Sequence, residues 1–371
     1  MIPFLDLKAQ YRSVGPQLEA EVCAAMRECN FVLGEKVEAF ETGFAGYCGT
    51  AHSVAVNSGT SALHLALLAA GIGPGDEVIT VPMTFVATTA AIVYTGAKPV
   101  FVDIDPTTWT MDPALIAEKV TDRTKAVLPV HLHGRLADMT TIGAVARRFG
   151  LTVIEDAAQA HGAERDGIRA GAFGDIGCFS FYPGKNLGAC GEGGAVTTNR
   201  PDLASAVRLL RDWGQEGKYN HVRHGFNFRM DAVQGAVLGV KLPLLDSWNA
   251  ARRRIANLYN DGLFGSLDLP MGPFGADHAC HVYAVRAGDR ARLRAVLNDA
   301  GIATNIHYPV PVHMQPAYAE LGHKAGDFPV SEALARETLS LPLFPELPDQ
   351  SVARVIDILN EATAQRLART A

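Results

Sequence analysis

Five short apolar segments alternate with helix-like segments in the first half of the chain, and this alternation most strongly limits the possible folds. The apolar segments are residues 53–56, 78–82, 99–103, 126–130 and 151–156. Their spacing leaves room for one helix in each connection. Strands that alternate with helices predict a mostly parallel sheet covered by helices on both faces. We therefore expect an α/β fold.

The chain is long enough for more than one domain. It has 371 residues, of which 48% are hydrophobic, and this length corresponds to about two domains. We expect a large domain with an N-terminal arm at residues 1–241 and a small α+β domain at residues 242–371. Residues 252–254 are consecutive arginines, which we interpret as a solvated helix face.

Charge and composition argue against several classes of partner. The net charge of −6 gives no overall positive field for nucleic acid. Residues 1–8 lack the basic and apolar pattern of a signal peptide, and the apolar run 62–72 is too short to span a bilayer. The six cysteines show no CxxC spacing and are typical of reduced thiols. We expect a cytoplasmic protein that binds neither nucleic acid nor membranes.

A lysine lies on a glycine-rich turn between two strand-like segments. Lys185 follows the apolar residues 178–182, and four glycines in residues 188–194 precede a return to strand at 195–198. Burial would lower the pKa of its amine and make it a nucleophile toward a carbonyl. A solvated turn lysine is the alternative.

A second polar turn joins the segment 53–56 to a helix at 62–70. Its sequence is Asn-Ser-Gly-Thr-Ser, at residues 57–61. Free N–H groups and the positive end of a helix bind anions at such a turn. We interpret it as a phosphate site, and a helix N-cap at Ser58 without a ligand is the alternative.

The segment 151–156 ends in two carboxylates, Glu155 and Asp156. A buried carboxylate at the end of a strand needs a cation or several hydrogen bonds. A metal would need more ligands than His161 supplies, so we expect no metal. A protonated heterocyclic nitrogen is the other natural partner for Asp156.

A reactive lysine, a phosphate site and a carboxylate for a ring nitrogen together match the three functional groups of pyridoxal 5'-phosphate. With its motifs in this order, the sequence closely resembles the sugar aminotransferases of the DegT/DnrJ/StrS family, which have the type I aspartate aminotransferase fold. The resemblance implies a mostly parallel sheet of about seven strands in the large domain. The matching segments are residues 57–63, 155–162, 180–188, 191–195 and 225–230, and the likeness continues through 307–309 and 341–342.

The resemblance also implies a role for each cofactor-binding residue. Lys185 would hold the cofactor as a Schiff base and move protons, and Asp156 would keep the ring nitrogen protonated. Active sites would be shared between the subunits of a homodimer. The other contacts would come from Gly59, Thr60 and Ser180 at the phosphate, Phe85 on the ring face, Gln159 at the ring hydroxyl, and Asn227 from the second subunit.

The family's reaction implies amination of a nucleotide-linked keto sugar by an amino acid, with glutamate as the expected donor. Residues 182–188 and 306–313 look more like members that act on dTDP-linked 3-keto-6-deoxy sugars than like members that act on 4-keto sugars, which is the alternative. A salt bridge at Arg229 and ordinary packing elsewhere are alternatives to substrate contact. The candidate substrate-binding residues are Tyr182, Arg229, His307, Tyr308 and His313.

Two further alternatives keep the cofactor but change the function. Sugar dehydratases of this family carry histidine in place of the lysine, and Lys185 argues against that reaction. The other alternative is a regulatory protein that binds pyridoxal 5'-phosphate without catalysis. No appended DNA-binding segment is visible in the sequence, which argues against that reading.

Overall fold

A seven-stranded sheet forms the centre of the fold in the computed structural model, which describes residues 1–264 and 267–370. In chain order the strands are His52–Val56 (β1), Glu77–Thr80 (β2), Lys98–Phe101 (β3), Thr124–Val127 (β4), Thr152–Asp156 (β5), Glu164–Arg165 (β6), Ile168–Arg169 (β7), Ile176–Ser180 (β8), Gly194–Thr198 (β9), Tyr283–Arg286 (β10) and Thr338–Leu341 (β11). The order within the sheet is β1-β9-β8-β5-β4-β2-β3. β9 is antiparallel to both of its neighbours, and the other neighbouring pairs are parallel. The expected mostly parallel α/β fold is confirmed.

Helices occupy most of the connections between these strands. In chain order they are Leu7–Glu28 (α1), Glu35–Cys48 (α2), Gly59–Ala69 (α3), Ala87–Tyr94 (α4), Met139–Phe149 (α5), Pro201–Arg211 (α6), Ala232–Lys241 (α7), Leu245–Gly262 (α8), Arg290–Asp299 (α9), Pro329–Glu337 (α10) and Asp349–Thr370 (α11). Across the described residues, each helix is too short or too polar to cross a membrane.

Successive residues of the parallel strands point into separate cores on the two faces of the sheet. Val78 and Ala126 pack in one core with side chains of α3, whereas their neighbours Ile79 and Val127 pack in another with side chains of α5. Side chains alternate between the faces of a strand, so both faces of β2 and β4 are covered. This explains why these strands read as continuous apolar runs in the sequence.

The residues after α7 build a further core between α8, β10, β11 and α11. Tyr259, Tyr283 and Leu341 are buried within it, and Ile2 from the start of the chain joins them. The Ile2 N–H group donates to the carbonyl of Gly301 at 2.8 Å. The first residues therefore lie against the C-terminal part of the chain. The division at residues 241/242 stays a prediction.

Glu155 anchors the end of β5, one residue before Asp156. Its carboxylate is fully buried and lies 3.0 Å from Nε2 of His131. Its oxygens also accept hydrogen bonds of 2.7–2.9 Å from the backbone N–H groups of Gly171, Phe173 and Gly174. This network fixes the turn at 171–174 to the strand that presents Asp156.

The Glu155→Ala variant should be less stable than the wild type by about 3–5 kcal/mol, because the buried ring of His131 and three backbone N–H groups lose their acceptor. Urea unfolding followed by circular dichroism measures the change. Glu164→Ala is the matched control, since Glu164 forms a half-exposed ion pair with Arg169 at 3.1 Å. That variant should lose at most about 1 kcal/mol. Equal losses in the two variants would contradict the anchoring role of Glu155.

Candidate active site

A cavity of about 670 Å³ opens at the carboxyl ends of the parallel strands. Ligands of open α/β sheets bind at this edge. Most of the candidate residues from the sequence lie together around this cavity. Those that line it are Gly59, Thr60, Phe85, Asp156, Gln159, Ser180, Tyr182, Lys185, His307 and Tyr308.

Lys185 lies in the connection between β8 and β9. The next residue, Asn186, is buried and donates from its amide to the carbonyl of Ala279 at 2.7 Å, which fixes the turn. Burial lowers the pKa of Lys185 to about 8, although the negative charge of Asp156 opposes this effect. Near neutral pH the amine is therefore neutral far more often than that of an exposed lysine.

Three histidines near Lys185 are neutral at physiological pH: His161 is fully buried, and His281 and His307 are half-buried. Burial lowers the pKa of His161 and of His307 to about 3, and it places the pKa of His281 well below the usual range. The positive charge of Lys185 adds to the effect in each case. The rings of His281 and His307, which line the cavity, can therefore form hydrogen bonds there without placing a second positive charge against the lysine.

Asp156 ends β5 inside the cavity. Its Oδ2 accepts a hydrogen bond of 2.7 Å from the hydroxyl of Thr88, and its Oδ1 accepts one of 3.2 Å from the N–H group of Ala158. Burial raises the pKa of Asp156, and these two hydrogen bonds and Lys185 oppose the rise. The sequence interpretation missed Thr88, although its position one helical turn after Phe85 was an available signal.

The start of α3 is the candidate anion site. The hydroxyl oxygen of Ser58 accepts a hydrogen bond of 3.1 Å from the N–H group of Ser61. Ser58 is therefore the N-cap of α3, as the sequence allowed. The N–H groups of Gly59 and Thr60 come next and have no acceptor within α3. A Cβ atom on Gly59 would lie 2.6 Å from Cβ of Ser180, so only glycine lets that serine approach the helix end.

Gln159 is held in one orientation beside the cavity. Its Oε1 accepts the N–H group of His133 at 2.5 Å, and its Nε2 donates to the hydroxyl of Tyr308 at 3.0 Å. The second hydrogen on Nε2 remains available to a ligand. The ring of Phe85 lies 5.6 Å from the ring of Tyr308 and provides a flat apolar wall.

These residues fit pyridoxal 5'-phosphate. The helix end at Gly59 suits a phosphate, and Lys185 offers an amine with a lowered pKa. Asp156 is a buried carboxylate that a protonated ring nitrogen would neutralise. No group of three or more His, Cys, Asp or Glu side chains forms a metal site within residues 1–264 and 267–370.

Three candidate residues lie outside this cavity in the described chain. Arg229 forms an ion pair of 3.0 Å with Asp212, and His313 is buried with Nε2 at 3.3 Å from Glu332. Asn227 is exposed. The structure thus gives Arg229 and His313 other partners, and the assigned roles of all three residues stay predictions.

The interpretation of residues 252–254 as a solvated helix face is wrong for Arg252. Its side chain is buried and lines the cavity, whereas Arg254 is exposed and pairs with Asp349. Arg252 lies on the same face of α8 as the buried Trp248 and Tyr259. The spacing of these aromatic residues at helical intervals from Arg252 was the signal that could have revealed its burial.

The fold and the site define an aminotransferase that uses pyridoxal 5'-phosphate as its cofactor. Lys185 and Asp156 face one cavity at the carboxyl edge of a mostly parallel sheet, next to the anion site of α3. The chain belongs to the DegT/DnrJ/EryC1/StrS aminotransferase family, whose sequence profile matches residues 13–360.

Individual relatives cover almost the whole chain. The dTDP-3-amino-3,4,6-trideoxy-alpha-D-glucose transaminase of Streptomyces venezuelae is 46% identical over 362 residues, which are 97% of this chain and 96% of that protein. The pleiotropic regulatory protein of Geobacillus stearothermophilus is 46% identical over 364 residues, 97% of this chain and 98% of that protein. The crystal structure of S. venezuelae DesV in complex with a ketimine intermediate matches with a TM-score of 0.95, 46% identity and 98% coverage of both chains.

The cofactor-depleted protein should capture pyridoxal 5'-phosphate faster as the pH rises, with a midpoint at about 8. Below this pH the amine of Lys185 is protonated and cannot attack the aldehyde. Absorbance after rapid mixing measures the rate, and borohydride reduction followed by mass spectrometry locates the adduct. Lys185→Ala is the control and should give no adduct in this turn. A midpoint near that of an exposed lysine, about 10.4, would contradict the effect of burial.

Proposed function

We propose that this protein transfers an amino group to carbon 3 of a dTDP-linked 3-keto-6-deoxy hexose, with glutamate as the amine donor. The observation that carries the proposal is the lowered pKa of Lys185, whose side chain lines the same cavity as Asp156. The choice of sugar is supported by the S. venezuelae relative, whose name specifies a dTDP-linked 3-amino product. The cytoplasmic location of the protein described by this structure stays a prediction.

Lys185 performs the proton transfers in both halves of the reaction. The bound cofactor supplies an electron sink for the carbon that loses its proton. Nζ of Lys185 takes the proton from Cα of the donor in the first half, and it delivers a proton to C3 of the sugar in the second. A pKa of about 8 suits one group to both tasks near neutral pH. The charge of Asp156 keeps the ring nitrogen protonated.

Backbone groups and small side chains hold the cofactor in this proposal. Gly59, Thr60 and Ser180 bind the phosphate at the start of α3, and the ring of Phe85 covers one face of the cofactor ring. Gln159 directs its free N–H toward the ring hydroxyl, an orientation supported by its hydrogen bonds to His133 and Tyr308.

Side chains that line the cavity select the sugar. Tyr182 lines the cavity and is 55% exposed, and His307 and Tyr308 line it as well. Phe4 from the start of the chain adds an apolar contact, with its ring 5.7 Å from that of His307. Moving the reacting carbon from C3 to C4 rotates the sugar ring, so these contacts discriminate between the two positions.

A regulatory role without catalysis is the second candidate function. The observation in its favour is the name of the G. stearothermophilus relative, which describes a regulator. The buried amine of Lys185 beside Asp156 argues for turnover instead, because a binding protein does not need a proton carrier. Titration of the cofactor-loaded protein with glutamate separates the two roles, since only an aminotransferase changes the cofactor absorption spectrum.

The enzyme should aminate a dTDP-linked 3-keto-6-deoxy hexose and leave the 4-keto isomer largely unchanged. Incubation with glutamate and each sugar separately, followed by NMR of the product, identifies the aminated carbon. The Lys185→Ala variant should form no product from either sugar. Amination of the 4-keto isomer alone would contradict the choice of carbon 3 but leave the aminotransferase activity in place.

We also propose a homodimer in which each subunit contributes to its partner's site. Asn227 supports this, since its side chain is exposed and its segment lies outside the cavity of its own chain. In this arrangement the Asn227 side chain reaches the cofactor phosphate of the second subunit.

Mixing Lys185→Ala with Asn227→Ala subunits should restore about a quarter of the wild-type activity after exchange, because half of the dimers then carry one complete site. Each variant alone should be badly impaired. A chain that carries both substitutions, mixed with either single variant, is the control and should restore none. Subunit exchange confirmed by mass spectrometry without any recovery would contradict the shared site.

A further inference from the structure

We propose that Arg252 binds a carboxylate group of the amino-acid donor, an inference that rests on the proposed aminotransferase function. Arg252 belongs to α8 and is 4% exposed. It nevertheless lines the same cavity as Lys185. The side chain therefore reaches the site from the part of the chain that follows α7.

The hydrogen bonds of Arg252 leave part of its guanidinium without a partner. Nη1 donates to the carbonyl of Leu343 at 2.9 Å and makes a long contact of 3.5 Å with the carbonyl of Cys280. Nε is buried and has no hydrogen-bond partner among the described residues. In the same residues, no carboxylate forms an ion pair with this guanidinium, whereas Arg254 pairs with Asp349 at 2.7 Å.

A buried guanidinium without a direct counterion is costly for the folded protein. Burial lowers the pKa of Arg252 to about 10, and the more distant Glu346 and Cys280 only partly oppose this effect. The free-energy cost of removing the Arg252 guanidinium from water is already part of the folding free energy. An anion that enters the cavity therefore meets a preformed cation. The planar guanidinium also matches the two oxygens of a carboxylate.

The position of Arg252 favours the donor over the diphosphate of the nucleotide sugar. Lys185 and Arg252 both lie close enough to His281 to help lower its pKa, and all three residues line the cavity. In the nucleotide sugar the diphosphate is attached at C1, two carbons from the reacting C3, whereas the α-carboxylate of the donor is attached to the reacting carbon itself. A nearly fully buried arginine is therefore suited to a group close to the amine that reacts.

The carbonyl partners of Arg252 explain how one cavity can accept two substrates in turn. The keto sugar brings no carboxylate to the inner cavity. When it is bound, the carbonyls of Leu343 and Cys280 still accept hydrogen bonds from the guanidinium. The arginine can thus remain in place during both halves of the reaction.

Calorimetric titration of the cofactor-loaded protein tests this proposal with two probes. Glutarate is glutamate without its amine, so it binds without reacting, and dTDP reports on the nucleotide site. Arg252→Gln should weaken glutarate binding about tenfold to a hundredfold and leave dTDP binding within about twofold, because one charge-assisted contact is lost. Arg252→Lys should give an intermediate loss, and the Michaelis constant for glutamate should rise in the same order. Arg254→Gln is the matched control and should bind both probes like the wild type.

Three outcomes would overturn the proposal. The first is glutarate binding within twofold of the wild type in Arg252→Gln with an unchanged cofactor spectrum. The second is a loss of dTDP binding in place of glutarate binding. If Arg252→Gln loses the cofactor, Arg252→Lys decides, and unchanged glutarate binding in that variant is the third. Arginine-dependent glutarate binding in a protein that aminates neither keto sugar would support this inference while the proposed sugar substrate fails.

Discussion

The removal of Lys185 and Asp156 from water is the interaction on which the rest of the site depends. Burial disfavours the charged form of each group, so the pKa of the lysine falls and that of the aspartate rises, and their mutual attraction only partly opposes both shifts. The sheet imposes this arrangement. Asp156 ends β5, Lys185 follows β8, and these two strands are parallel neighbours whose carboxyl ends meet. A cofactor with a cationic ring nitrogen and a reactive aldehyde relieves both costs together.

The sequence predicts the parallel part of the sheet well because its strands are buried on both faces. Continuous apolar runs such as 126–130 have no polar alternation, and the helices between them set the direction of the chain. The antiparallel direction of β9 could not be read in the same way. It depends on a loop between β8 and β9 that reverses the chain without a helix, and glycines alone do not reveal where such a loop leads.

The residues of the site also differ in how well the sequence predicts their positions. Residues close together in sequence, such as those at 57–61 and 180–185, carry enough local information for their place in the cavity to be predicted. The family resemblance also placed His307 and Tyr308 at the site, but other residues that reach the cavity from distant segments were missed. Arg252 is an example, because its burial depends on the packing of α8 against the C-terminal core and not on its charged neighbours. For Arg229 and His313 the family resemblance indicated substrate contact. The structure adds Asp212 and Glu332 as their ion-pair partners, and the substrate contacts stay predictions.

The walls of the cavity come from the beginning, middle and end of the chain, since Phe4, Lys185, His307 and Leu343 all line it. Contacts so far apart in sequence form late and slowly during folding. During synthesis the segment that carries Leu343 emerges after the strands of the seven-stranded sheet and after the anion site at the start of α3. A chain truncated before Leu343 would therefore lack part of the cavity wall.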